Sequence, residues 1–401
     1  MKLRIVIIIA VICTLFNACK ERKQVQYTPW GTPMVGDSIV DDDGTYGLSD
    51  IVGNGEMIML TVSGPETYYD YHGAGMGLQY LLCERFAQRL GVSLRVDVCK
   101  DTTEMMRKLS AGDADVVAVP LPRSSHGRVK GVLYTKVCED SASLGWAVNS
   151  SNRALADSLN HWFKSSMVAE VRKQESFLLS TRSIRRHVYS PMLDRAGGVI
   201  SRYDKYFMMY APLARVDWRL MAAQCYQESC FDPNAQSWAG ACGLMQIMPR
   251  TADHLGLSRS ELFNPEANIA ASARYLQELG RHYEDVPVGE RVYFQIASYN
   301  GGFFHIRDAM ALARKHGRNP HRWDDVSEFI LLLSNPQYYT DPVVRYGYMR
   351  GRETVDYVNR IRDRYAQYRG VAHRGSGSYF PDPSSSGMRP ERARKNYKWH
   401  L

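Results

Sequence analysis

The chain has 401 residues, 45% hydrophobic and 23% charged, a composition that excludes a collagen-like or wholly disordered protein and allows two domains with separate cores. Of the formal charge of +8, +4 lies in the last 31 residues, where six Lys or Arg from Val371 onward oppose two acids. That segment, residues 371–401, is rich in Gly, Ser, Pro and Arg and is expected to be a disordered tail able to touch anionic lipid or cell wall.

Met1-Lys2-Leu3-Arg4 is basic, and residues 5–16 form a mostly apolar run of about a dozen residues, too short for a comfortable membrane span. Residues 1–18 therefore read as an export signal, which argues against a nucleic-acid partner. The run ends in Phe16-Asn17-Ala18-Cys19, which resembles the lipobox of bacterial lipoproteins with Phe where Leu is usual. The resemblance implies lipidation at Cys19 and a body anchored to the membrane; the alternative is a plain secretory signal with an incidental cysteine. Lys20 stands where Asp would give the common inner-membrane retention signal, so the periplasmic side of the outer membrane is the expected location. Residues 19–54 are polar, carry Asp41-Asp42-Asp43 and read as a tether. Elsewhere no apolar run approaches about 18 residues, so nothing else is expected to cross a membrane.

Residues 55–181 alternate strand-like and helix-like patterns: strands near 57–62, 94–98 and 115–119, helices near 76–90 and 103–109. Such alternation predicts an α/β domain with a parallel sheet. Gly73, Gly75 and Gly77 lack the spacing of a dinucleotide fingerprint and read as a flexible turn. Gly77, Tyr80, Phe86-Ala87, Leu90-Gly91-Val92 and Gly112-Asp113-Ala114-Asp115 resemble the first lobe of an extracellular solute-binding protein. Gly145-Trp146-Ala147-Val148 already resembles the return into that lobe, followed by a helix near 152–163, so the second lobe is missing or vestigial. A ligand cleft needs two walls, which makes this domain a scaffold.

Six cysteines follow Cys19, namely Cys83, Cys99, Cys138, Cys225, Cys230 and Cys242, and their spacing matches no zinc pattern. Export permits disulfides, with Cys230 and Cys242 closing a short loop, and buried free thiols are the alternative.

Residues 182–370 switch to three- and four-residue apolar spacing, with the clearest helices near 199–210, 218–228, 269–281, 292–299 and 355–368, and predict an all-α domain. The helix over 218–228 is mostly apolar or small and ends in Glu228. An acid at the edge of such a helix is partly desolvated, which raises its pKa and lets it donate a proton near neutral pH. Alone this is weak evidence, because a glutamate at a helix end is usually surface charge.

The neighbouring segments add Ser229, Phe231-Asp232-Pro233, Ala235, Ser237, Gly240 and Gly243-Leu244-Met245-Gln246-Ile247-Met248-Pro249. Ala297-Ser298-Tyr299-Asn300-Gly301-Gly302 and Glu353-Thr354 with Tyr357-Val358 follow in order. Together they resemble the lytic transglycosylase domain of lysozyme-like fold, and with the α/β domain in front, the membrane-bound lytic murein transglycosylase F family. The resemblance implies Glu228 as sole catalytic acid and base, and Ser229, Met245, Gln246, Tyr299, Asn300, Glu353 and Tyr357 as substrate-binding residues. It implies cleavage of the MurNAc-GlcNAc β-1,4 bond of peptidoglycan without water: Glu228 protonates the glycosidic oxygen, then takes the proton of the C6 hydroxyl that attacks C1, leaving a 1,6-anhydro sugar. An intramolecular nucleophile has a high effective concentration and needs no second carboxylate to position it. No cofactor or metal is called for, and His305, His316 and His321 read as surface histidines. Every motif residue follows Arg182, so the helical domain is expected to hold the chemistry on its own. Two rivals stand: a hydrolytic muramidase of goose-type lysozyme kind, which would need a second acid such as Asp232 or Glu353, and a non-catalytic cell-wall sensor. Asp232, before Pro233, reads as a turn residue.

Overall fold

The structure, a computed structural model, describes residues 47–123, 131–138 and 143–371. The expected export signal over residues 1–18, the expected lipidation site Cys19 and the expected tail after Val371 lie outside the described residues. No helix among the described residues is long and apolar enough to cross a membrane.

The chain forms an α/β domain followed by an all-α domain. The first element, α1 (Leu48–Asn54), falls where the tether was expected. Asp50 accepts a hydrogen bond from the Gly47 amide at 2.8 Å, Gly55 ends the helix in a left-handed conformation, and Ile51 is buried, so the packed body begins before residue 55. Then come β1 (Glu56–Thr61), β2 (Tyr69–Tyr71), β3 (Ala74–Met76), α2 (Leu78–Leu90), β4 (Ser93–Val98), α3 (Thr102–Ala111), β5 (Val116–Pro122), β6 (Val132–Tyr134), β7 (Leu144–Asn149), α4 (Arg153–Trp162) and α5 (Ser166–Leu178).

The main sheet has the order β4-β1-β5-β7-β6. β1 runs parallel to β4 and β5, but β7 is antiparallel to both β5 and β6, so the sheet is mixed rather than parallel. Helical crossovers join β1, β4 and β5, whereas the described residues between β5 and β7 form only the short strand β6. β7 lies between β5 and β6, and β6 forms that edge of the sheet. One face packs on α2, α4 and α5 through Phe86, Trp146 and Trp162, and the other on α3 through Met105 and Leu109. Fully buried Trp146 donates its indole N–H to Gln79 at 2.7 Å, which satisfies the one polar atom of that side chain.

Beyond the α/β domain lie α6 (Asp204–Ala214), α7 (Trp218–Ser229), α8 (Pro249–His254), α9 (Pro265–Arg281), α10 (Val288–Gly301), α11 (Phe303–Lys315), α12 (Trp323–Leu332), α13 (Pro336–Tyr339) and α14 (Gly351–Val371). They share one core in which Phe207, Met221, Leu244, Phe294 and Ile361 are buried, with α7 packed against α6 and α14. The six described cysteines are free and buried, so the thiol alternative holds for Cys230 and Cys242; the Cys242 thiol contacts Gly240 O at 3.2 Å.

Candidate active site

Helix α7 carries Glu228 inward because both of its ends are fixed. Asp217 caps the start by accepting from the Arg219 amide, and its carboxylate is paired with the buried Arg219 guanidinium at 2.5 Å. At the other end Cys230 and Phe231 both adopt left-handed backbone, with φ of 53° and 62°, which turns the chain sharply after Ser229. Asp232 holds that turn, accepting from the His187 amide at 2.6 Å and the Asn234 amide at 3.0 Å. The turn reading of Asp232 fits these bonds, and its carboxylate is buried and committed to backbone.

The Glu228 carboxyl is half-buried, and desolvation pushes its pKa up to about 7 against the lowering influence of Tyr357, His72 and Arg186. The Tyr357 hydroxyl donates to Glu228 Oε1 at 2.5 Å, and Gln224 Nε2 donates to that hydroxyl at 3.2 Å. Behind it, Arg186 holds the Glu228 carbonyl at 2.8 Å.

The segment after Gly243 is set by Asn268 on α9. Its Nδ2 donates to Cys242 O and Leu262 O, and its Oδ1 accepts from the Met245 amide at 2.8 Å. Gly243 has φ of 78°, and a Cβ there would lie 2.4 Å from Leu262 O, so no larger residue fits. Asn268→Ala removes three hydrogen bonds to backbone, leaving the Met245 amide and Leu262 O without their side-chain partner while Cys242 O keeps the Ile247 amide, and is expected to lower stability by about 2 kcal/mol in chemical denaturation.

A cleft of about 730 Å³ opens above this segment, lined by Gln246, Tyr299, Asn300, Glu353 and His72 among others. Gln246 has left-handed backbone with φ of 49°. Its Nε2 donates to Ala235 O and Gly243 O at 3.0 Å each, while its buried Oε1 has no partner. Tyr299 donates to Met245 O at 2.7 Å and accepts from Ser272 at 3.3 Å. Asn300 accepts from Thr354 at 2.8 Å, tying α10 to the start of α14.

Glu228, Gln246, Tyr299, Asn300, Glu353 and Tyr357 are thus brought to one region. Ser229 and Met245 are not surface residues of the cleft: both are fully buried, Ser229 donating back to Cys225 O and Met245 packing in the core. A residue after an inward-facing acid on a helix points away from the same face, and Met245 alternates with Gln246 across a tight loop. Tyr357, 5% exposed, reaches Glu228 rather than open space. His305 is not a surface residue either. It lines the cleft, half-buried, and desolvation lowers it to about 4, which keeps the ring neutral. His316 stacks on Phe329, and His321 sits 3.2 Å from Asp285.

The sequence reading missed a whole wall of the cleft. Strands β2 and β3 form a hairpin whose two-residue turn is His72-Gly73, both with positive φ. This hairpin of the α/β domain enters the cleft, so the helical domain does not enclose its site alone. Tyr71 donates to Glu353 Oε1 at 2.8 Å, and His72 Nε2 lies 3.3 Å from the same oxygen. The signal present was the glycine-rich stretch around Gly73. Its partner lies more than 280 residues away, beyond the reach of local pattern. Trp238, parallel to the Tyr71 ring at 6.3 Å, was likewise unmarked. Among the described residues no group of three His, Cys, Asp or Glu is placed to hold a metal ion.

Residues 205–321 match the family described as Transglycosylase SLT domain. A membrane-bound lytic murein transglycosylase F of Desulfosudis oleivorans is 35% identical over 240 residues, covering 57% of this chain and 50% of that protein. The like-named protein of Serratia proteamaculans is 28% identical over 415 residues, covering 79% of this chain and 84% of the relative. Among solved structures, the arginine-bound Phe57Trp mutant of domain 1 from TmArgBP is similar with a TM-score of 0.27 and 21% identity, covering 32% of this chain and 99% of that one. The chain spans about half the length of the Desulfosudis protein. The Serratia alignment is longer than the 401 residues present here, so part of it consists of residues that only the relative has.

Proposed function

We propose that this chain, which carries a Transglycosylase SLT domain over residues 205–321, is a lytic transglycosylase that cleaves the MurNAc-GlcNAc bond of peptidoglycan with Glu228 as general acid and base. The observation that carries this reading is a desolvated carboxyl, Glu228, with its pKa near 7 and a tyrosine hydroxyl at 2.5 Å, close to a cleft of about 730 Å³ whose walls include Tyr299 and Glu353. A pKa near the working pH lets one group first donate a proton to the leaving oxygen and then recover one from the C6 hydroxyl. As charge develops at C1, the substrate's own N-acetyl group and the Glu353 carboxylate are placed to stabilise it.

Hydrolysis needs a second acid to activate or replace water. Both candidates are occupied: Asp232 by two backbone amides, and Glu353 by Tyr71 and His72 on one oxygen, with Arg350 facing the other at 3.7 Å. Transglycosylation is therefore the better fit. The proposal extends to the cell envelope, with Cys19 as lipid anchor and the outer membrane as its seat.

Digestion of purified sacculi in heavy-oxygen water tests the chemistry. The expected muropeptides lack the label, weigh one water less than hydrolysed counterparts and resist borohydride, because an anhydro terminus has no free reducing end. Labelled, reducible muramic acid among the early products would make the chain a muramidase.

A further inference from the structure

The β2–β3 hairpin is held against the catalytic domain on several sides. The Tyr69 ring meets Tyr348 edge-on at 5.1 Å, and Ser63 Oγ accepts from the Tyr348 amide at 2.8 Å. Gly347, in left-handed backbone, passes so close to Ser63 that a Cβ there would lie 2.3 Å from its hydroxyl. At the tip, His72 occupies a left-handed position with φ of 51°, where turns of this type favour Asn or Gly. Such a conformation persists where the surroundings fix it, and here it aims the ring at Glu353. The Asp70 carboxylate braces the same turn by accepting from the Gly73 amide at 2.9 Å.

The charged and titratable groups facing Glu353 come from three places: Tyr71 and His72 on the hairpin, Arg350 just before its own helix α14, and Glu228 on α7. Burial pushes the Glu353 carboxyl up, but His72, Tyr71 and Arg350 together hold it below the usual carboxylate range. Glu353 is thus kept an anion, and its charge is felt at Glu228.

We infer that Tyr71 and His72 are positioning residues of the catalytic centre, fixing the Glu353 carboxylate at the edge of the cleft so that the α/β domain completes the site. The inference rests on the lytic transglycosylase reading. A fixed anion there attracts the positive charge that develops on the sugar during the reaction; at Glu228 its raising influence is smaller than the lowering influence of His72 itself. The hairpin's role is to hold that carboxylate in one geometry with two contacts on Oε1, where among the described residues the helical domain supplies Arg350 at 3.7 Å on the other oxygen.

The test uses the full chain with carbon-13-labelled glutamate carboxyls, the Glu353 signal being assigned by its loss in Glu353→Gln. Tyr71→Phe removes one oxygen and keeps the ring. His72→Asn keeps a left-handed turn but is too short to reach the carboxylate. In each, Glu353 is expected to titrate at a pH higher by about half a unit or more. On sacculi, kcat should fall about tenfold with KM within about twofold, and the melting temperature should stay within about 2 °C. An unmoved Glu353 titration in both variants, or a kcat that is unchanged or raised, overturns the inference; a raised kcat would make the hairpin a brake. A parent chain inert on sacculi instead overturns the functional reading on which the inference stands, and the titration then still decides whether the hairpin holds Glu353.

Discussion

Glu228→Gln is expected to lower sacculus digestion by about a thousandfold while raising stability. The amide keeps the size of the side chain and its place beside Tyr357, but it neither donates nor recovers a proton, and general acid-base catalysis is worth about 10² to 10⁴ in rate. The stability gain follows from the same desolvation. Glu228 has its pKa raised in the folded state to about 7, against about 4.3 in an unfolded chain. Ionising it therefore costs stability progressively as pH climbs between those values, and the whole cost is present above about pH 7. A glutamine has nothing to ionise. The variant should thus be more stable than the parent by up to about 3 to 4 kcal/mol at pH 8, with the gap closing as pH falls toward 4. Urea unfolding at the two pH values, beside a turbidity assay, reads both effects. A variant that clears sacculi at more than a few per cent of the parent rate removes Glu228 from the chemistry; one no more stable at pH 8 than at pH 4 contradicts its desolvation.

That pairing of lost activity with gained stability is the signature of a strained functional residue, and it marks what was legible in the sequence. The helical domain was readable because its information is local. The apolar spacing of 218–228 places Glu228 on one helix, and the obligatory Gly243 and the Asp232 turn are conformational demands written into single residues. The order of the elements in the α/β domain was readable for the same reason, but the sense of β7 was not. Parallel and antiparallel neighbours present the same apolar run, and the direction of β7 is set by how the chain returns from β5, which the run itself does not encode. The tether hid α1, whose seven residues bury little besides Ile51 and carry too few turns for a period to show. Tyr71 and His72 were invisible for a different reason. Nothing in Tyr-His-Gly distinguishes an exposed turn from one pressed against a carboxylate contributed by the far end of the chain. Side-chain direction was the other gap. Ser229 and Met245 sit next to functional residues in sequence and face the opposite way in space.

Tyr357→Phe addresses the contact that sequence alone did not foresee. The Tyr357 hydroxyl donates to Glu228 Oε1 at 2.5 Å, a bond that favours the charged carboxylate and lowers its pKa against desolvation. Without it Glu228 should hold its proton to a higher pH, and the alkaline limb of kcat/KM, which reports the free enzyme's essential acid, should move upward from about 7 by about one pH unit. The rate on the plateau should nevertheless fall about thirtyfold. After the glycosidic bond breaks, the carboxylate must take the C6 proton, and a base without its hydrogen-bonded partner is less well oriented for that step. Gln224 Nε2 also loses its acceptor in the buried interior, which should cost about 1 kcal/mol of stability. A substitution that merely loosened the packing between α7 and α14 would slow the enzyme at every pH without displacing the limb. Movement of the limb to higher pH together with a lower plateau is therefore the result expected of a direct donor to the catalytic acid. A limb that stays in place or moves down means that Tyr357 does not hold the Glu228 carboxylate.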